Sequence, residues 1–565
     1  MTRRGGIGSW LGASASLLLL STALAQAPLL GRISFPTSGS PPAQPYFLRG
    51  VLLLHSFEYD DAIDEFRQAQ RLDPGFAMAY WGEAMCYNQP LWYNENLEKA
   101  RATLARLAPS QQVRAAKAST DREKAYLDAV ERLYGEGDKV TRDRAYADRM
   151  AALTARYPSD DEAAAFYALS LLATIPSGGR DAAVSLKAGA IASAILERNP
   201  QHPGAAHYAL HAYDDGEHTA MGLKAARIYA KIAPASSHAL HMPSHVFLPL
   251  GMWDEAVASD EASFAASIEW VKRRGASSAQ QDFHSLSWLQ YEYLQQGRFA
   301  KARELLDPVK RAIAEEEGRG SAKTSPSENK NHQHVESEIG RGFGPVSLRN
   351  ELGSMRARLI VESGDWAQMK GQGSFDNIDE LFALGLSSVK LGDFARAEAA
   401  VEHLGNAAKV VPDRDGREIA AIMQAQLDGL LRLSRHDRTG GLAALARAVQ
   451  LESARPRPIA RPYPIKPAGE LYGEALLAEK DPRGAVQQFR AALARTPNRA
   501  ASLIGLTRAA AAAGHRDEAG RAARQFLAAW HKADTDRSEL AEARTIARTQ
   551  RPAPAPAPSA RHPAP

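Results

Sequence analysis

His207-Tyr-Ala-Leu-His211 and His238-Ala-Leu-His241-Met-Pro-Ser-His245 repeat one pattern. His207 and His241 lie 34 residues apart, and so do His211 and His245. That interval is the length of a helix-turn-helix unit that stacks on copies of itself. At roughly 100° per residue, His207 and His211 fall about 40° apart around a helix axis, and His238, His241 and His245 fall within about 60°. Five imidazoles therefore project from equivalent faces of two consecutive units, and stacking sets such faces side by side.

The same unit can be read outward in both directions. From Tyr46 onward, Gly50, Ala62, Phe66, Ala69 and Pro74 supply small, aromatic and terminating positions. Gly50 and Ala62 let two helices approach closely, and Pro74 stops the second. A late unit repeats this with Gly473, Ala485, Phe489, Ala492 and Pro497, and turns are expected at Gly251, Gly297, Gly364, Gly392 and Gly514. Between 94 and 157 the unit degenerates while the helical period persists. Thr120 with Glu123 forms a capping box there, and residues 160–173 and 182–198 form a further hairpin.

Composition agrees with an all-α chain. Of 565 residues 45% are hydrophobic, and Ala, Leu, Arg and Glu are abundant. The net charge of +4 includes Arg3 and Arg4, and no basic stripe remains to favour nucleic acid. Residues 1–27 read as a secretory signal peptide. Arg3 and Arg4 precede an apolar run from 11 to 24, and Ala23-Leu24-Ala25 offers a cleavage site, so the mature chain is expected to start near Gln26 or Pro28. The run is shorter than the ~20 residues that span a bilayer, and no later stretch is a transmembrane candidate. The expected location is the periplasm or the exterior. Cys86 is the only cysteine, set among Ala84, Met85 and Tyr87 as a small core residue.

These repeats resemble the tetratricopeptide (TPR) family on the Gly/Ala/Phe/Ala/Pro skeletons at 50–74 and 473–497 and on the turns spread over 46–530. The run from His241 to Trp253 also resembles a signature of exported bacterial proteins of that family, and it brings no reaction with it. The resemblance implies a right-handed superhelical solenoid of TPR type. Its expected divisions are an extended lead-in at 28–45, an N-terminal array at 46–312, a mobile loop insertion at 313–346, a C-terminal array at 347–535, and a Pro/Ala tail at 551–565 that is disordered by composition. It also implies that positions two, five, nine, twelve and thirteen of each first helix line a concave groove. Counted so, His207, His211, Asp214 and Asp215 line it in one unit, and His238, His241 and His245 in the next. His284 and Tyr291 follow, with His55 in the first unit and Glu470 and Glu474 in a late one. Pro243 is a potential kink.

Two histidines one turn apart can share a metal ion. Nitrogen and carboxylate ligands without thiolate suit zinc, copper, iron or manganese. The expectation is one divalent ion held by three or four of His207, His211, His238, His241, His245 and His284, the remainder orienting ligands or substrate. Asp214 and Asp215 are candidate catalytic bases, or caps of the turn that follows. Trp81, Trp92, Trp253 and Trp288 are expected in the core. Three readings stay open: a binding protein taking a peptide or small molecule at a metal-bearing groove, a metal-dependent enzyme acting there, and a metal-free peptide scaffold.

Overall fold

The computed structural model describes residues 30–176, 179–320, 345–373 and 375–549. The expected signal peptide and the 551–565 tail lie outside them. The described residues form a succession of helical hairpins, and their one ribbon pairs Asn88–Gln89 with Asn94–Glu95. No helix among them is long and apolar enough to cross a membrane.

In the two clearest units the repeat skeleton works through one aromatic ring. Phe66, on the Tyr59–Leu72 helix, is fully buried between Gly50 and Gly82. A Cβ at Gly82 would lie 2.3 Å from the Phe66 ring, and one at Gly50 2.6 Å away. Phe489 sits between Gly473 and Gly505 in the same manner, with Cβ approaches of 2.9 and 2.3 Å. The absence of a side chain on the flanking helices makes room for the ring, which is why this spacing reads as a unit. The lead-in is extended from Leu30 and becomes helical at Gln44. It is anchored by the capping box at Thr120 and Glu123, because Glu123 also accepts from Ser38 N at 2.7 Å and Ser38 Oγ at 2.8 Å.

At 313–320, where an insertion loop was expected, the Leu306–Gly320 helix continues. Residues 321–344 lie outside the described residues, and a helix runs again over Pro345–Ser363. The two arrays share a core. One cluster joins Phe283, Leu286 and Leu289 to Leu348 and Met355, and then to Leu503, Phe526 and Trp530.

The solenoid returns upon itself. Trp253 Nε1 donates to Asn498 O at 3.0 Å, Ala500 N to Gln295 Oε1 at 3.0 Å, and Asp534 N to Gly297 O at 3.1 Å. Gly251 and Gly297 turn at φ 67° and 69° where these strands of the seam meet. A Cβ at Gly251 would lie 2.4 Å from Pro497 O, so the seam needs glycine for space as well as conformation. At its centre Arg499 is fully buried. It reaches Glu470 at 2.8 Å, Glu362 at 2.7 Å and the Tyr291 hydroxyl at 3.3 Å. Arg499→Ala would leave Glu362 buried without this cation and Glu470 with Lys466 alone. It should cost about 3–5 kcal/mol in chemical denaturation, and a change below about 0.5 kcal/mol would show that the seam carries no stability.

Candidate metal centre

The Pro203–Ala212 helix starts with His202 as its N-cap, the ring Nδ1 accepting from Ala205 N at 3.1 Å. The next histidine-bearing helix is broken by Pro243 into Ser237–His241 and Ser244–Phe247. Proline offers no N–H to continue the ladder, yet the break leaves His241 and His245 one turn apart. His284 stands at the start of the Phe283–Gln295 helix.

The six histidines gather as two groups of three rather than around one point. His207, His211 and His238 form the first group, and His241, His245 and His284 the second. Within each group one nitrogen per ring lies within 4.8 Å of the others. His207 Nε2 is 3.0 Å from Nε2 of both His211 and His238, and His241 Nε2 is 3.1 Å from His245 Nε2. Two nitrogens bound to one ion at about 2.1 Å stand roughly 3.0–3.4 Å apart at ordinary coordination angles. A single ion with spare histidines around it is not the arrangement found. The repeat translation that separates equivalent positions also separates the two groups. The ring centroids of His211 and His245, one from each, are 6.4 Å apart.

The outer nitrogens decide what the inner ones offer. His207 Nδ1 donates to His55 O at 2.6 Å, His245 Nδ1 to Asp214 Oδ2 at 2.7 Å, and His241 Nδ1 to Asp260 Oδ1 at 2.6 Å. A neutral ring carries one proton, so these three present bare lone pairs at Nε2. Burial holds His207 and His241 down to about 3, with His245 adding to the effect at His241. It also holds His211, His238 and His284 well below the ordinary range, helped by neighbouring histidines. Behind Asp260 stands Glu292, also buried; burial first and Asp260 second push its carboxyl up. Burial pushes the Asp260 carboxyl up as well, so the two carboxyls share a proton, and Asp260 Oδ1 is the atom that faces His241 Nδ1.

Other candidates are occupied elsewhere. Asp215 accepts from the backbone of Glu217 and His218 and from the His218 ring, which makes it a turn cap. Asp214 orients His245. Glu470 is locked to Arg499 and Lys466, and Glu474 to Lys466, so neither approaches the histidines. Tyr291 belongs to the same seam. His55 forms a third group with Glu162 and His202, of different character. There His55 Nε2 donates to Glu162 at 2.7 Å while its Nδ1 accepts from the Tyr208 hydroxyl. His202 Nε2, the nitrogen opposite its cap, lies 3.2 Å from Glu162 Oε1 without hydrogen-bond geometry, and neither atom has another partner among the described residues. His55 turns its proton toward the carboxylate, so this group is centred on an anion and not on converging lone pairs.

Sequence reasoning missed Asp260, on the Trp253–Arg274 helix, and Glu292, two turns beyond His284 on the Phe283–Gln295 helix. It also placed Trp92 in the core. Trp92 and Phe57 instead wall the first group, with Phe57 held at φ 57° so that its ring lies 4.3 Å from that of His207. Trp288 walls the second group, 4.5 Å from His245, and its position one turn beyond His284 was a signal for this. Trp81 and Cys86 are core residues, and burial pushes the Cys86 thiol well up. A cavity of about 730 Å³ opens on His211, Asp214 and Asp215, with Arg455, Pro456 and Ile459 on its far side.

Comparison with known proteins bears on the scaffold. The family model for the tetratricopeptide repeat matches residues 43–76. No curated protein matches the chain. Among solved structures, the human IFIT1 dimer with m7Gppp-AAAA is similar at 12% identity, over 91% of this chain and 91% of that one, with a TM-score of 0.31. Yeast Tom70 is similar at 12% identity, over 87% of this chain and 91% of that one, with a TM-score of 0.26. At such scores neither bears on what this chain binds.

The third group supplies a pH test. Burial works against the charge on Glu162, but His202 and His55 outweigh it and hold the carboxyl at about 2. A carboxylate depressed on folding stabilises above its unfolded value of 4.5 and loses that stabilisation as pH falls toward 2. Relative to Glu162→Gln, the protein should lose about 3 kcal/mol across that window. Parallel stability–pH curves for the two proteins would contradict the assignment.

Proposed function

We propose that this TPR-type solenoid, exported by its 1–27 segment, is a binding protein that holds two divalent transition-metal ions, one at His207, His211 and His238 and one at His241, His245 and His284. Repeats of this type are scaffolds for binding other proteins, and the histidine groups add chemistry to the scaffold. A single observation carries the reading. His241 and His245 face each other through Nε2 at 3.1 Å while both Nδ1 protons are committed to carboxylates. Two lone pairs at that separation repel unless a cation lies between them. Asp260 and Asp214 are then the outer carboxylates that fix ring orientation and raise ligand basicity.

A second reading, a metal-dependent enzyme, is favoured by the cavity that reaches His211. Three histidines per ion leave a coordination position for water or substrate. Asp214 is then the residue next to the ligands that orients His245, and Asp215 keeps its turn. A peptide scaffold without metal is less favoured, because His207, His238 and His241 are buried and do not line an open groove.

The test is elemental analysis of full-length protein purified without a histidine tag, after exposure to zinc, copper, iron(II) or manganese and desalting. Two ions per chain are expected. His241→Ala and His207→Ala should each retain one, with helical circular dichroism unchanged, since stacking supplies most of a solenoid's stability. His55→Ala should retain both. Wild-type protein without stoichiometric metal, or His241→Ala with undiminished metal, would overturn the reading.

A further inference from the structure

Building on the metal reading, we propose that the ligand taken at the second histidine group is an oxyanion, a carboxylate or a phosphate, gripped on its far side by Arg461 with Arg358 behind it. The non-helical segment around 455–466 runs from exposed residues at 456–457 to buried ones at 464–466. Ala460 packs on the cluster of Leu248, Trp253, Trp288 and Tyr291, while Tyr463 packs on the one that holds Ala357 and Phe382. Arg461 therefore stands between the tryptophan that walls the second histidine group and the Pro345–Ser363 helix. Its Nη1 is 3.3 Å from Glu351, and Glu351 also takes the hydroxyl of Ser287, three residues after His284 and next to Trp288. The side chain of Arg461 keeps 18% of its surface exposed, so its fork is not sealed by protein.

Arg358 lies on the same helix as Glu351, two turns further and one turn before Glu362, and so on the same inward face. It is only 3% exposed, and its Nη1 has no hydrogen-bond partner among the described residues. A buried guanidinium N–H without an acceptor is unfavourable unless a ligand supplies one. Burial, and then Arg358, bring Arg461 down to about 10, in keeping with two cations set side by side.

Of the carboxylates nearby, Asp214 is taken by His245, Asp260 by His241 and Glu351 by Arg461, while the buried Asp379 offsets the charge of Arg358 without a hydrogen bond to it. What remains for a ligand is a set of cations and donors, the histidine-held ion on one side and planar guanidinium forks on the other. Arginine forks match carboxylate and phosphate geometry through paired N–H bonds. The ligand class follows from that pairing.

The experiment uses the full chain loaded with cobalt(II), whose visible spectrum reports the coordination sphere, titrated with inorganic phosphate and separately with acetate. At least one should shift the band saturably, and which one responds distinguishes a phosphate from a carboxylate. Arg461→Met should raise the half-saturation concentration about ten- to a hundredfold with cobalt content unchanged. Arg461→Lys keeps the charge but not the fork, so it should also bind more weakly than wild type while folding normally. Wild-type half-saturation in either Arg461 variant, or no response to either anion, would overturn the proposal. A wild-type chain that takes up no cobalt would fail before any anion is added; that outcome overturns the metal reading and this inference with it.

Discussion

A neutral imidazole has two nitrogens and one proton, so whatever binds one nitrogen dictates what the other can do. Burial makes that rule binding here, because it removes the option of charging the ring. At His207, His241 and His245 the outer nitrogen faces an acceptor, and the lone pairs are driven inward toward one another. At His55 the proton is driven inward instead, onto Glu162. The same residue type in the same solenoid thus makes a ligand set in one place and a structural polar cluster a few residues away. Composition cannot separate the two, and the direction of hydrogen bonding does.

The rest of the molecule supplies what that rule needs, namely walls that keep water out. The returning C-terminal hairpins seal one side through the Arg499 seam. Trp288, Trp92 and Phe57 cover the rings directly. An open superhelix would leave these histidines as ordinary groove residues with water as partner. The 455–466 segment lines the cavity beside His211 with Arg455, Pro456 and Ile459 and packs Ala460 against Trp288.

Much of the fold was legible because its signals are local. The Gly50/Phe66 and Gly473/Phe489 spacings and the Thr120 capping box each report a constraint satisfied locally, and the turn at Gly251 is signalled by its conformation. The histidine pairs were legible for the same reason, since four residues make one turn. Closure was not, because it depends on contacts such as Trp253 with Asn498, 245 residues apart. The division of the histidines into two groups followed the repeat translation, which periodicity gives in angle but not in distance. Asp260 lies on a helix without a candidate ligand, and Glu292, though on the helix of His284, announces nothing by itself. Glu470 fell at a groove position by counting, yet the buried Arg499 captured it.

X-ray absorption fine structure at the metal edge of the loaded, full-length protein tests the central claim most directly. The account requires a first shell dominated by about three imidazole nitrogens near 2.0–2.1 Å per ion, with the outer-ring scattering of histidine behind it. A shell of oxygen donors alone, or one with a single imidazole, would contradict it and return the histidine groups to the role of buried polar seams.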